Sequence, residues 1–334
     1  MAKPRTLKRK IESVQYQDLI SKIQFISVAQ KDKGTPSQTH CIFKNNTLTA
    51  FNGVITAGCT VVEDLNDIYP HTHAFINALE RCKGELAITQ LEGKLSIKSG
   101  PFTALVPCYP DSLPVLAPDP PLCGLSESLR QGFAAIAHLA DEDNAKPMLA
   151  SIMLQSGSMF TTNGFACLEF YHGLNLPQIM LPKAFVTGIC NTKKELKAFG
   201  YSGTSCTIHF VDDSWVKTQL YNGDWPELDR LFNVQSSPTP LPENFLEALT
   251  SIQKFSEGKD KEKKVYFADD MLQSHRNKAE GACYEVQGLV AGPIFGIELL
   301  KSVLVGIKSV DFNCKGMMVG LGDNVRTVLM GVRQ

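Results

Sequence analysis

The sequence predicts an α+β protein built from one unit written three times, each copy holding two helices and several antiparallel strands. Three observations lead to that prediction. Two proline-rich stretches, 109–122 and 231–242, carry eight of the 18 prolines and divide the 334 residues into pieces of similar length. An Asn-Gly pair between apolar runs occurs in each of the first two pieces, with Gly53 and Gly164 set 111 residues apart. Phe75, Phe185 and Phe295 each open an apolar, helix-like run at a constant spacing of 110 residues. A fixed period of this kind is the signature of a repeat architecture, and it predicts domains at 1–118, 119–236 and 237–334.

Within each unit the elements follow one order. The first helix is predicted over 16–26, 126–139 and 243–255, where apolar residues recur at three- and four-residue steps, as in Leu19, Ile20 and Ile23 or Phe245, Leu249 and Ile252. That spacing puts them on one face, which docks on a core. A strand hairpin follows at 48–59 and 159–170, its Asn-Gly turn suited to the type I′ geometry in which both central residues take positive φ. A second helix opens at His73-Ala74-Phe75, at Lys183-Ala184-Phe185 and at Phe295. After it come 84–106 and 204–221, whose alternating and β-branched residues predict antiparallel strands joined by tight turns. Proline fixes φ and lacks a backbone donor, so the two proline-rich stretches read as extended connectors.

Composition narrows the function classes. Lys plus Arg number 33 against 34 for Asp plus Glu, a formal charge of −1 that excludes a uniformly basic nucleic-acid coat but permits a local stripe. With 43% hydrophobic residues the chain can fill a core. No run approaches the roughly 18 apolar residues of a membrane helix. The start, MAKPRTLKRK followed by IESVQYQDLI, lacks the apolar stretch of a secretory signal, so a soluble cytoplasmic protein is expected. The basic tail, with Lys3, Arg5, Lys8, Arg9 and Lys10, reads as an unfolded end able to touch a polyanion. Ten cysteines stand without a C-x-x-C pair, which predicts buried free thiols in a reducing compartment.

None of the motifs G-x-x-x-x-G-K-[ST], G-x-G-x-x-G, G-x-S-x-G and H-E-x-x-H occurs, so no catalytic residue, metal or cofactor is expected. The most metal-like group, His71, His73 and Cys82, lacks a zinc spacing. The acid groups Asp141, Glu142 and Asp143, Asp212 and Asp213, and Asp269 and Asp270 fall in predicted turns or helix ends, where carboxylates cap or stay hydrated. Positive charge is more telling. Lys183, Lys193, Lys194 and Lys197 lie in and just after the second helix of unit two, Arg81 and Lys83 end that of unit one, and Lys301 and Lys308 lie on that of unit three. Equivalent basic helices are able to form one electropositive face toward a polyanion, although lysines near helix C-termini are also favoured by the dipole alone.

The middle third carries a resemblance. FTTNGFACLEF (160–170) is similar to the V-A-T-D-G-H-R-L-A hairpin of the bacterial sliding clamp, the β subunit of the replicative DNA polymerase III, a family that includes divergent phage versions. IMLPKAFVTGI (179–189) resembles its I-V-P-R-K helix start. VKTQLYNGDWPELDRLF (216–232) resembles its S-K-L-V-D-G-x-F-P-D-Y-x-R-V-L segment, with Asn222-Gly223, Pro226 and Arg230 in register. Residues 84–114 resemble its strand series, and VLMGVRQ resembles its terminal Y-V-V-M-P-M-R-L. The likeness spans nearly the whole chain.

That resemblance implies three DNA-clamp domains per chain and a head-to-tail homodimeric ring around duplex DNA. Such a ring is a non-enzymatic processivity factor for a replicative DNA polymerase. The implied DNA-facing residues are Lys22, Lys31, Lys33, Arg81, Lys83, Arg130, Lys193, Lys194, Lys197, Lys254, Lys301 and Lys308. Phosphate contacts without base readout let a ring slide. The family also captures short linear peptides of polymerase and clamp-loader subunits. By position the pocket takes in Lys146, Met148 and Leu149, Thr162, Gly164, Phe165, Ala166 and Cys167, then Pro242, Leu299, Val328, Leu329, Met330, Gly331 and Val332. Phe165-Ala166-Cys167 replaces the family's His-Arg-Leu and Met330-Gly331-Val332 its Met-Pro-Met, which predicts a dedicated partner rather than a host-type peptide. The alternative is a repeat-built β-rich interaction or phage structural protein that binds no DNA. A hydrolase using dispersed acids such as Asp212 or Asp269 is a third class.

Overall fold

The computed structural model describes residues 8–11, 13–62, 65, 67–256, 258–259, 262–276 and 280–332, so Lys3 and Arg5 of the basic tail lie outside the described residues. The rest of that tail is not an unfolded end. Lys8, Arg9 and Lys10 belong to β1 (Lys8–Ile11), which pairs antiparallel with Leu86–Thr89 and so has backbone partners.

The chain continues with α1 (Ser13–Ile26), a 3-10 turn at Ser27–Ala29, α2 (Pro36–Thr39), β2 (Ile42–Lys44), β3 (Thr47–Phe51), β4 (Ile55–Thr60) and α3 (Thr72–Glu80). Next come β5 (Leu86–Leu91), β6 (Lys94–Ser99), β7 (Phe102–Pro107), β8 (Cys123–Gly124), α4 (Glu127–Ile136) and 3-10 turns at Ala137–Leu139 and Pro147–Leu149. The middle of the chain supplies β9 (Ser151–Leu154), β10 (Ser158–Thr162), β11 (Ala166–Tyr171), β12 (Ile179–Pro182), α5 (Lys183–Asn191), β13 (Leu196–Tyr201), β14 (Ser205–Phe210), β15 (Trp215–Gln219) and α6 (Asp229–Phe232). The last part holds β16 (Thr239–Pro240), α7 (Phe245–Gln253), β17 (Lys264–Ala268), β18 (Met271–Gln273), β19 (Cys283–Glu285), β20 (Ile294–Gly296), α8 (Ile297–Val303), β21 (Ile307–Cys314), β22 (Met317–Gly322) and β23 (Val325–Met330). Among the described residues no helix is long and apolar enough to cross a membrane.

Two compact units result, one from 1–127 with 188–220 and one from 128–187 with 221–334. The first holds a seven-stranded sheet in the order β2-β3-β4-β15-β14-β13-β8 and a four-stranded sheet β1-β5-β6-β7. The second holds an eight-stranded sheet β12-β9-β10-β11-β23-β22-β21-β16 and a four-stranded sheet β19-β18-β17-β20. Each large sheet is thus stitched from strands far apart in sequence, through β4 on β15 and β11 on β23. At the first seam Trp215 stands directly opposite Gly58, and a Cβ there would overlap the indole ring. The apolar stripes of the first helices do what their spacing predicts: Leu19, Ile23 and Ile26 of α1, Leu129, Phe133 and Ile136 of α4, and Phe245, Leu249 and Ile252 of α7 are at most 1% exposed.

Several expectations need correction. The two Asn-Gly turns are not type I′, because only Gly53 and Gly164 take positive φ (101° and 88°). Each Asn instead folds the turn with its side chain: Asn52 Oδ1 accepts from the amides of Val54 and Ile55, and Asn163 Oδ1 from those of Phe165 and Ala166, at 2.8–3.0 Å. Turns in which both central residues take positive φ occur instead at Asn45-Asn46, between β2 and β3, and at Lys315-Gly316, between β21 and β22. Phe295 opens no helix. It lies in β20, and α8 begins at Ile297, so its exact period with Phe75 and Phe185 is not structural equivalence. The second proline-rich stretch is only partly an extended connector, since it includes the end of α6 and the edge strand β16. The first one is extended but pinned: Asp119, 6% exposed, accepts from the hydroxyls of Ser205 and Thr207.

Candidate functional site

In the first unit α1 and α3 lie side by side, and the Gln24 amide donates to Glu80 at 3.1 Å. A cleft of about 540 Å³ opens between α1, through Ser21, Gln24 and Phe25, and Asn191–Lys194 at the end of α5. Lys194 Nζ stands 4.2 Å from the centre of the Phe25 ring and is ion-paired with Asp212. Burial pushes the Asp212 carboxyl up, but the bonds from Lys194 and Ser214 outweigh it and hold the group below the usual carboxylate range. Lys22 pairs with Asp18 at 2.5 Å, and Lys197 lies on β13 and pairs with Asp213 at 2.7 Å. Lys31, Lys33, Arg81, Lys83 and Lys193 are exposed, and none of the five is ion-paired among the described residues. Exposed cations without a carboxylate partner are the groups of this unit best suited to meet phosphates.

In the second unit Arg130 sits half-buried on α4 and Lys254 is exposed just after α7. Lys301 on α8 donates to Gln253 Oε1 at 2.6 Å. Lys308 is not on a helix: α8 ends at Val303, and Lys308 stands on β21, ion-paired with Asp323 at 2.7 Å. Lys183 is likewise spent internally, donating to the Ala140 carbonyl at 2.6 Å. The bias toward positive second helices is therefore smaller in space than in sequence.

The hairpin β10–β11 and the C-terminal strand β23 come together in the second unit. Cys167 stands opposite Val328 and Ala166 opposite Leu329. Met330 N–H donates to the Phe165 carbonyl at 2.9 Å, while Gly331 and Val332 donate to Gly316 and Ile294. Thr162 Oγ1 donates to the Ala166 carbonyl at 2.7 Å and accepts from Gly164 N–H, tying the turn. At its tip Phe165 is 68% exposed and Met330 45%, two neighbouring apolar side chains facing water. Lys146, Met148 and Leu149 fall in and just before the 3-10 turn beside β9 and β10.

Pro242 and Leu299 do not join this group. Pro242 follows β16, three strands beyond β23 in the sheet, or about 14 Å at the usual strand spacing. Leu299 is on α8, which packs beside the 3-10 turn continuing α4. That is the face carrying Met159 and Phe170, against which Gly132 of α4 packs, and it is opposite to the face of Cys167 and Val328.

No protein-family model and no curated protein matches the sequence. Solved structures match by fold. The Pseudomonas aeruginosa DnaN sliding clamp (DNA polymerase III subunit beta) bound to griselimycin superposes over 98% of this chain and 100% of its own, with a TM-score of 0.81 at 14% identity. The C. crescentus beta sliding clamp gives the same coverage, TM-score and identity. The Helicobacter pylori beta clamp bound to a DNA ligase peptide gives a TM-score of 0.76, again at 14% identity over 98% of this chain and 100% of that one. The chain has the fold of a bacterial sliding clamp.

In this sliding-clamp fold the face of Cys167 and Val328 carries residues that the sequence did not single out. Both belong to a buried cluster with Met153, Phe160 and Phe232, and residues 221–234 lie over it through half-buried Trp225, Leu228, Leu231 and Val234. The signal was present, since Leu228, Leu231 and Phe232 follow the three- and four-residue steps of a helix turn. Arg326 and Glu169, ion-paired on the same face, were also missed. Other groups have structural roles. His71 Nδ1 accepts from Ala74 N–H and caps α3, and His73 faces Asp32 at 3.2 Å. Asp269 and Asp270 accept from the amides of Ala291 and Gly288, and Asp212 is the partner of Lys194, so none of these acids reads as a hydrolytic pair. Burial pushes the thiols of Cys41 and Cys59 up to about 12, leaving them protonated and inert at neutral pH.

Proposed function

We propose that the protein is a DNA sliding clamp: two copies close head to tail around duplex DNA in the cytoplasm and tether a replicative DNA polymerase, with no catalysis of their own. The observation that carries this reading is the correspondence with bacterial clamps over 98% of this chain and the whole of theirs. The domain borders that go with it are 1–118, 119–236 and 237–334. Ring closure is supported by the two small sheets. One ends in β7, where Leu105 is 57% exposed, and the other ends in the short strand β19. Such edges invite pairing with another chain, and joining them between copies gives a closed two-fold ring.

DNA contact is supported by the uncompensated cations Lys31, Lys33, Arg81, Lys83 and Lys193. Peptide capture of polymerase and loader subunits is supported by the exposed pair Phe165 and Met330 beside the Cys167–Val328 face. The test is solution mass by light scattering combined with duplex binding at several salt concentrations. A dimer of twice 36.7 kDa with salt-sensitive, sequence-independent binding is expected, and a strict monomer indifferent to DNA would refute the proposal.

A further inference from the structure

The strap formed by residues 221–234 holds one regular element, the four-residue α6, which is too short to be stable by itself. Its place over the sheet is set by side chains. Most of those anchors are apolar, with Phe232 at 9% exposure as the deepest. One is ionic. Glu169 and Arg326 stand directly opposite across β11 and β23, two positions along from Cys167 and Val328 and hence on the same face. Arg326 Nε donates to Glu169 Oε2 at 2.6 Å, and a second guanidinium nitrogen pairs with the same oxygen. Ser158 Oγ donates to Glu169 Oε1 at 2.8 Å, so both oxygens of this buried carboxylate are occupied. The guanidinium held in this way lies over the strap's Phe232 ring, with Cζ 4.9 Å from its centre.

We propose that Arg326 is a positioning residue for partner capture: fixed by Glu169, it clasps Phe232 and so holds the 221–234 strap as the border of the apolar face that ends in exposed Phe165 and Met330. The purpose assigned to that face rests on the peptide-binding reading above; the clasp itself does not. Arginine is suited to this place because its planar fork engages a carboxylate while its face stacks on a ring, two contacts that a lysine cannot make together. Glu169 is needed as well, since it balances the cation pressed against an aromatic surface.

The experiment uses the full chain and measures amide hydrogen exchange over 225–234 for Arg326→Met, Arg326→Lys, Phe232→Leu and the double variant Arg326→Met/Phe232→Leu. Each single change should speed strap exchange about ten-fold while exchange in β17 and β18, in the other sheet of the same unit, stays unchanged, and the double variant should add little to either. Fully additive effects, or no effect of Arg326→Met on the strap, would overturn the clasp. A fluorescein-labelled decapeptide carrying Leu and Phe anchors is then titrated. About ten-fold weaker binding to Arg326→Met, measured at a temperature well below the melting transition of either protein, supports the positioning role, and equal binding overturns it. A peptide bound by neither protein would overturn the peptide-binding reading of this face and the role in capture, while the exchange cycle still decides whether the clasp exists.

Discussion

Asp119→Ala should loosen the first unit at the point where the first proline-rich connector crosses its large sheet. The Asp119 carboxylate accepts from Ser205 Oγ at 2.9 Å, from Thr207 Oγ1 at 2.9 Å and from Lys217 Nζ at 3.3 Å. Its own backbone is drawn in as well, because its N–H donates to Thr207 Oγ1 and its carbonyl accepts from His209 Nε2. Behind it a Cβ at Gly200 would run into the carbonyls of Asp119 and Pro120, so the connector lies flat on β13. Alanine leaves two hydroxyls and an ammonium without their acceptor. Breaking a fully buried pair costs about 3–5 kcal/mol. Lys217 keeps the Ala117 carbonyl at 2.9 Å and has 18% of its side chain exposed, which lowers the loss to about 3 kcal/mol.

In a domain of this size class that loss is a fall of roughly 6–12 °C in melting temperature. Asp119→Asn keeps the shape but not the charge and should lose about half as much. The assay is thermal unfolding in a Trp225→Phe background, so that fluorescence reports Trp215 of this unit alone, together with hydrogen exchange over 115–122. A loss under about 1 kcal/mol with unchanged exchange would refute the view that this carboxylate pins the connector.

Four further outcomes follow from the same structure. Gly58→Val should cost about 1–3 kcal/mol by driving a side chain into Trp215, and adding Trp215→Val should recover part of the loss in a thermal melt. Burial holds His40 below its ordinary 6.5, with nearby His71 adding and the bond to Pro36 opposing, so the unfolded chain takes up this proton first. The first unit should therefore weaken as pH falls below 6.5, with a further loss as pH drops through the lowered value of Asp212; His40→Gln should flatten only the first step of a stability-versus-pH curve. Lys193→Ala should reduce the salt slope of duplex binding by about 1 without altering the melt. Lys194→Ala should instead lower the melting temperature, because it strands Asp212 and uncovers Phe25.

The helix stripes were legible because burial of every third or fourth residue leaves a direct pattern, as Leu19, Ile23 and Ile26 show. The two Asn-Gly hairpins were legible as hairpins, but not in type: the Asn side chain, rather than a positive φ at Asn, shapes each turn. The 110-residue spacing of Phe295 was misleading, since a phenylalanine serves a buried strand as readily as a helix start. Cations were visible as charges, yet their partners were not. Asp212 lies 18 residues from Lys194 and Asp323 lies 15 from Lys308, across hairpins whose register the sequence does not state. The face of Cys167 and Val328 was located by resemblance, whereas Glu169 and Arg326, 157 residues apart, meet only because β11 pairs with β23.

The most direct measurement is retention on DNA of defined topology. Labelled protein is incubated with a nicked plasmid until rings have opened and reclosed around it, half of the sample is linearised, and both halves pass through gel filtration at high salt. The protein should travel with the circle and be lost from the linear form, because only a free end lets a closed ring slide away once phosphate attraction is screened. Equal retention on both forms would mean that ordinary surface binding holds the DNA, and retention on neither would return the protein to the DNA-free alternative.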